Sequence, residues 1–219
     1  MDATTWLLLA LFLAVAAADW AAVHVGAKKV EYLAKPGCML FLIAAALVLE
    51  PADAAARRAL VVALVFSTLG DVFLMLPGRQ PGTSGPNLFV AGLASFLVGH
   101  VAFVAGFILE GTDADGLAIG LLPVAIIIGT VGRRVVGAVR SGDEPELTIP
   151  VEAYVTVISA MVLCAFGTGD LRAMAGACLF AGSDSLIAWE RFVRQRPWGP
   201  LVIIVTYHLA QALLVVSFT

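Results

Sequence analysis

The chain has 219 residues, 61% hydrophobic and 13% charged, with 13 Lys plus Arg against 16 Asp plus Glu and a formal charge of −3. Soluble domains carry about 25% charged residues, so this composition, with a mean hydropathy of +0.98, excludes disorder, a coiled coil and a nucleic-acid binder with a basic face. It points to an all-α, polytopic membrane protein, because a soluble fold of this size needs far more polar surface.

A helix that crosses a bilayer needs about 20 mostly apolar residues. Eight such segments follow one another, approximately 6–25, 32–49, 59–76, 88–109, 117–131, 149–166, 171–189 and 200–218, and the reading is a single transmembrane domain over residues 1–219. The first stops at Lys28 and Lys29; its leading MDATT has no positive charge, so it reads as a retained helix rather than a signal peptide. The second ends at Glu50-Pro51 and the third at Pro77-Gly78, followed by the turn-rich RQPGTSGPN. The fourth closes at EGTDADG, and the short, Gly-containing fifth is followed by Arg133, Arg134, Arg140 and the charged SGDEPE. Backbone groups in lipid must bond within their own helix, and continuous rather than alternating apolarity argues against a barrel. Cys38, Cys164 and Cys178 lie in apolar stretches, with no CxxC or framework spacing for a zinc knuckle or a disulfide scaffold.

Basic residues choose sides. Odd-numbered loops hold Lys28, Lys29, Arg79, Arg133, Arg134, Arg140, Arg191, Arg194 and Arg196; even-numbered loops hold Arg57, Arg58 and Arg172. Odd loops are therefore expected in the cytoplasm and both termini outside. High Ala, Val and Gly, with Arg over Lys, suggests a high-GC bacterial genome and hence a bacterial cytoplasmic membrane.

Ionisable groups within a membrane helix are expensive and are functional candidates by default. They are Asp19 in helix one, Lys35 in helix two, Asp71 in helix three, His100 in helix four, Glu152 and Tyr154 in helix six, Asp184 in helix seven, and Tyr207 and His208 in helix eight, joined there by the polar but non-ionisable Gln211. Asp71 and Asp184 have apolar flanks and are the hardest to assign to an interface. Lys35 can snorkel to headgroups, and Glu152 lies close to its helix start. On the expected topology Asp19, Lys35, Asp71, Glu152 and Asp184 fall near cytoplasmic helix ends, and a cavity opening toward that leaflet is the economical reading. Tyr207 and Gln211, four apart, share a helix face, as do Ser67 and Asp71. Two carboxylates on one cavity supply an acid, a base and a water site. No GxSxG, HExxH or P-loop is present. Zinc would require four helices to bring His100, His208 and the two aspartates together. A proton-coupled small-molecule or lipid transporter would also use buried Asp and His and stays open here.

The ordered set EYLAKPG around Lys35, STLGDVFLML around Asp71, NLFVAGLASFLVGH ending at His100, FAGSDSL around Asp184 and TYHLAQ from Thr206 to Gln211 resembles the YhhN family of integral membrane proteins, which includes the animal lysoplasmalogenases. The family pattern often has a second tyrosine where His208 stands. The resemblance implies hydrolysis of the vinyl ether bond of a lysoplasmalogen or related lysolipid, giving a fatty aldehyde and a glycerophospho-headgroup, with no cofactor or metal. It implies Asp184 as acid and Asp71 as base or electrostatic partner, or the reverse. Lys35, His100, Tyr154, Tyr207 and Gln211 would position the substrate, with Asp19, Glu152 and His208 as secondary candidates. The implied partners are the lysophospholipid and membrane lipids; no protein partner and no nucleic acid is indicated.

Overall fold

A computed structural model describes residues 1–50, 53–76 and 87–219. Pro51, Pro77, Gly78, Arg79 and the rest of the turn-rich segment before Asn87 lie outside the described residues. Among the described residues the chain is all-α, with eight helical stretches long and apolar enough to cross a membrane. It divides into two compact units, residues 1–106 with Phe218 and Thr219, and residues 107–217.

The first unit holds α1 (Ala3–Val25), α2 (Lys28–Val48), α3 (Ala54–Met75) and most of α4 (Leu88–Glu110). Asp2 caps α1, its carboxylate accepting the Thr5 N–H at 2.9 Å and the Thr5 hydroxyl at 2.6 Å. Gly26, at φ 74°, ends α1 in the left-handed region, where a side chain would strain the backbone. Chain direction therefore reverses within two residues and α2 begins at Lys28, ahead of the start at 32 that hydropathy alone suggests. Similarly, Asp53 caps α3 through the Ala55 and Ala56 N–H groups, so α3 starts at Ala54 rather than 59. In both cases the helix begins at or before its charged residues, Lys28, Lys29 and Glu31 in α2 and Arg57 and Arg58 in α3, which hydropathy alone assigns to a loop.

α1 packs along α2 and α2 along α3. Glycines let α3 and α4 approach. A β-carbon at Gly70 would overlap the Phe96 ring, and one at Gly99 would press on the Ala63 carbonyl and Ser67. Close approach of this kind is how helices associate where no hydrophobic effect drives them together.

The second unit holds α5 (Ala114–Ile126), a π-helical turn (Ile127–Gly132), α6 (Arg133–Ser141), α7 (Thr148–Gly167), α8 (Leu171–Phe192) and α9 (Gly199–Ser217). α5, the π turn and α6 run on as one 28-residue span. The sequence expectation ended this helix at 131, before Arg133, Arg134 and Arg140; instead the helix carries these long, interfacial side chains. α8 packs most extensively on α9, and α7 bridges α5 and α8. Core positions are filled by Phe180, Met161, Leu214 and small residues such as Ala165 and Ala177, while Leu122, Ile126 and Leu171 face outward. Apolar residues on the outer surface are what a lipid solvent requires.

Candidate functional site

In the second unit the polar side chains converge from α7, α8 and α9. Asp184 is 7% exposed, Tyr207 3%, and His208 and Gln211 are fully buried. The Tyr154 hydroxyl donates to Asp184 Oδ2 at 2.5 Å, joining α7 to α8. The neighbouring Ser183 hydroxyl donates to the Ile203 carbonyl at 3.0 Å, tying the same turn of α8 to α9. Tyr207 stands edge-on to Phe180, with ring centroids 5.4 Å apart at 89°. Phe180 lies one turn before Asp184 on the same helix face, and Tyr207 is within Coulombic range of Tyr154.

Gln211, one turn along α9 from Tyr207, has both amide atoms without a hydrogen-bond partner among the described residues. A buried, unsatisfied amide is costly, about 1–3 kcal/mol for each group. A fold keeps such a group where a ligand uses it or water reaches it. The His208 ring lies 5.7 Å from the Tyr207 ring, tilted by 40°. Glu152 stands apart. It is exposed and accepts from Arg140 at 2.8 Å, on the outside of α7.

In the first unit the polar groups come from α1, α2, α3 and α4. Asp19 is fully buried, and neither carboxylate oxygen has a hydrogen-bond partner among the described residues. It is within Coulombic range of Lys35, Glu31 and Lys28. Lys35 does not snorkel outward. Its ammonium is held at 3.0 Å by Glu31, which also accepts from Lys28 at 2.7 Å. Cys38, fully buried, lies within Coulombic range of Asp19, Asp71 and Lys35. Asp71 is 8% exposed, with Ser67 buried one turn before it. His100, on α4, donates from Nδ1 to the Phe96 carbonyl at 2.5 Å, which leaves Nε2 as the acceptor nitrogen.

Glu31 is the member of this group that hydropathy missed, because it lies just ahead of the apolar run beginning at 32. The signal was nonetheless there: Glu31 and Lys35 stand at i,i+4, with the glutamate N-terminal, the favourable order for a helix pair. Among the described residues no three His, Cys, Asp or Glu side chains are grouped as a metal site would need.

Comparison with known proteins gives this arrangement a context. The YhhN family profile matches residues 30–218, a range that includes every polar residue of this arrangement except Asp19 and Lys28. The chain is 31% identical over 155 residues to the human protein named lysoplasmalogenase TMEM86B, covering 71% of this chain and 61% of that one. It is 32% identical over 183 residues to a lysoplasmalogenase of Mycobacterium bovis, covering 82% and 67% respectively, and 31% identical over 191 residues to bovine lysoplasmalogenase TMEM86A, covering 81% and 72%. The chain thus spans about three-fifths of the length of the human relative. No solved structure matches it. With the profile covering nearly the whole chain and the relatives aligned across most of it, the protein belongs to the YhhN family.

Proposed function

We propose that the chain is a membrane-embedded hydrolase that cleaves the vinyl ether bond of a lysoplasmalogen or related lysolipid by carboxylate acid–base chemistry. The observation that carries this reading is the buried Asp184, held by the Tyr154 hydroxyl beside Tyr207 and the unsatisfied Gln211 amide. Its support from outside the structure is the name of the aligned relatives.

A vinyl ether is electron-rich at the carbon β to oxygen. A carboxylic acid transfers its proton to that carbon, the C=C π pair forms the new C–H bond, and an oxocarbenium ion results. A carboxylate stabilises the cation and takes a proton from water as the water oxygen bonds to the α carbon. The hemiacetal then collapses: its O–H proton leaves, the C–O bond to glycerol breaks, and the glycerol oxygen is reprotonated. Aldehyde and lysolipid headgroup alcohol are the products, and one water is consumed. We assign Asp184 as the proton donor and Asp71 as the second carboxylate. Tyr154 fixes the Asp184 rotamer. Tyr207 and Gln211 offer a hydroxyl and an amide to the glycerol or headgroup, and Lys35 and His100 serve as further positioning groups.

The test is mass spectrometry of purified protein in detergent incubated with a lysolipid panel, including one vinyl ether. Wild type is expected to release aldehyde, and Asp184→Asn to lose about two to four orders of magnitude in rate while remaining folded. Full turnover in both Asp184→Asn and Asp71→Asn defeats the acid–base reading. No product from folded wild type, together with solute flux across sealed vesicles, replaces it with transport.

A further inference from the structure

The outer face of the second unit carries a cleft of about 460 Å³ that the proposed chemistry does not use. This volume lies within the range of small-molecule sites. One wall is α5 and the π turn, with Pro123, Ile127 and Thr130; the other is α8, with Cys178, Gly182 and Ser185. Cys178, Gly182, Ser185 and Trp189 recur at spacings of three and four and form one stripe of α8. Asp184 stands one residue from Ser185, about 100° around the helix, and is bonded to Tyr154 of α7. The cleft therefore runs along a different face of α8 from the reaction group.

Its walls are apolar for most of their length, and its end is cationic. Trp189 and Arg196 close it. The Arg196 guanidinium lies over the Trp189 ring at 5.3 Å and over the Trp198 ring at 5.2 Å. The Arg134 guanidinium lies over the same Trp189 ring at 5.9 Å. Arg140, Arg172 and Arg191 are each ion-paired with a carboxylate; among the described residues Arg134 and Arg196 are not. The Glu190 carboxylate accepts the Arg196 backbone N–H at 2.9 Å, but neither guanidinium is ion-paired with it, and two guanidiniums gathered on one indole repel each other. Their planar forks match a phosphate diester. The indole Nε1–H also has no acceptor among the described residues.

The position suits a lipid. Arg134 follows the π turn toward the end of its span, and Arg196 lies just beyond the end of α8. Arg and Trp at a helix end belong to the headgroup layer, and basic pockets between membrane helices take anionic headgroups. From there the apolar cleft runs back toward Pro123 and Cys178, into the depth of the bilayer. The π turn is what shapes one wall, and such turns recur at functional sites.

We infer that this cleft holds a resident anionic bilayer phospholipid, with one acyl chain between α5 and α8 and the phosphate on Arg134 and Arg196. The inference is independent of the proposed hydrolysis, since it concerns a lipid that is bound and not turned over. Native mass spectrometry of the detergent-purified full chain, mixed with dioleoyl phosphatidylglycerol, dioleoyl phosphatidylcholine or lysophosphatidylglycerol, tests it. Wild type should retain the phosphatidylglycerol preferentially. Arg134→Gln/Arg196→Gln should lower its retention about tenfold, as expected for losing charge-assisted hydrogen bonds. Gly182→Leu projects a side chain from the cleft wall, where its β-carbon meets nothing within 4 Å, and it should lower retention of the same lipid with both arginines intact. Arg133→Gln, an exposed neighbouring cation, should leave retention unchanged. Unchanged retention in either the double arginine variant or Gly182→Leu overturns the proposal. So does preferential retention of lysophosphatidylglycerol over the diacyl lipid, which would make the cleft a lysolipid site.

Discussion

Tyr154 and Asp184, thirty residues apart on α7 and α8, share a hydrogen bond of 2.5 Å from the phenolic hydroxyl to Oδ2. A carboxylate in lipid surroundings needs such a donor. Without one its rotamer is unfixed and its desolvation is uncompensated. The bond thus ties the geometry of the candidate reaction group to the packing of two helices.

Removing only the hydroxyl separates the two effects. Tyr154→Phe should keep the fold, since the ring still packs, and should reduce kcat by about tenfold to a hundredfold, the worth of one charge-assisted hydrogen bond. KM for the lysolipid should change little, and the pH profile of kcat should move. A loss confined to KM would instead make Tyr154 a headgroup contact.

How much of this could be read from the chain depends on whether a feature is local. The eight spans follow from hydropathy, which is summed along the sequence and needs no partner. Asp71, Asp184 and His100 stand out because each is polar within an apolar run. The Tyr154–Asp184 pair is different, because it depends on how α7 lies against α8, and no periodicity encodes that. The π turn at 127–132 likewise has no composition signal beyond its glycines. Glu31 was lost for a third reason. A hydropathy window assigns a charged first turn to the loop, whereas the turn is helical and its side chain faces inward.

The Glu31–Lys35 pair yields a stability prediction. The two side chains are only 7% and 14% exposed. Deleting Glu31 leaves the buried Lys35 ammonium without its ion-paired partner, with only the Coulombic influence of Asp19 remaining, which costs up to about 3 kcal/mol in the interior of a protein. Glu31→Gln should therefore lower the melting temperature in detergent. Glu31→Gln/Lys35→Met should recover part of the loss, because the buried ammonium that has lost its partner is removed and Asp19 is the buried acidic group that remains. Equal melting for the single and double variants would show that the pair is solvated.

Glycines divide by what surrounds them. At Gly116, near the start of α5, a β-carbon would run into the Phe166 carbonyl, a backbone atom with little room to move. Gly116→Ala should destabilise by about 1–3 kcal/mol. At Gly137 in α6 a β-carbon meets nothing within 4 Å, and Gly137→Ala should stabilise by about 0.4–1 kcal/mol through the unfolded chain. Thermal unfolding of the two variants in one detergent compares them directly, and opposite signs are expected.

The N-cap of α8 gives a pH prediction outside the membrane spans. Burial pushes the Asp170 carboxyl up, but the Arg172 guanidinium and the Arg172 and Ala173 N–H groups outweigh it and hold the carboxyl below its ordinary value of 3.8. The carboxylate accepts from Arg172 Nη2 at 2.7 Å and from the Arg172 N–H at 2.6 Å. A folded-state value below the unfolded one means that ionised Asp170 stabilises the fold. That contribution is fully present above the unfolded value of about 3.8 and is lost as pH falls through the lower folded value. Asp170→Asn keeps a capping oxygen but cannot titrate. The melting-temperature gap between wild type and Asp170→Asn should be constant from pH 7 to about 5 and should shrink as pH is taken below 3.8. A gap that stays constant through that range would mean the carboxyl is not held below its ordinary value, and would remove the Arg172 contact as its cause.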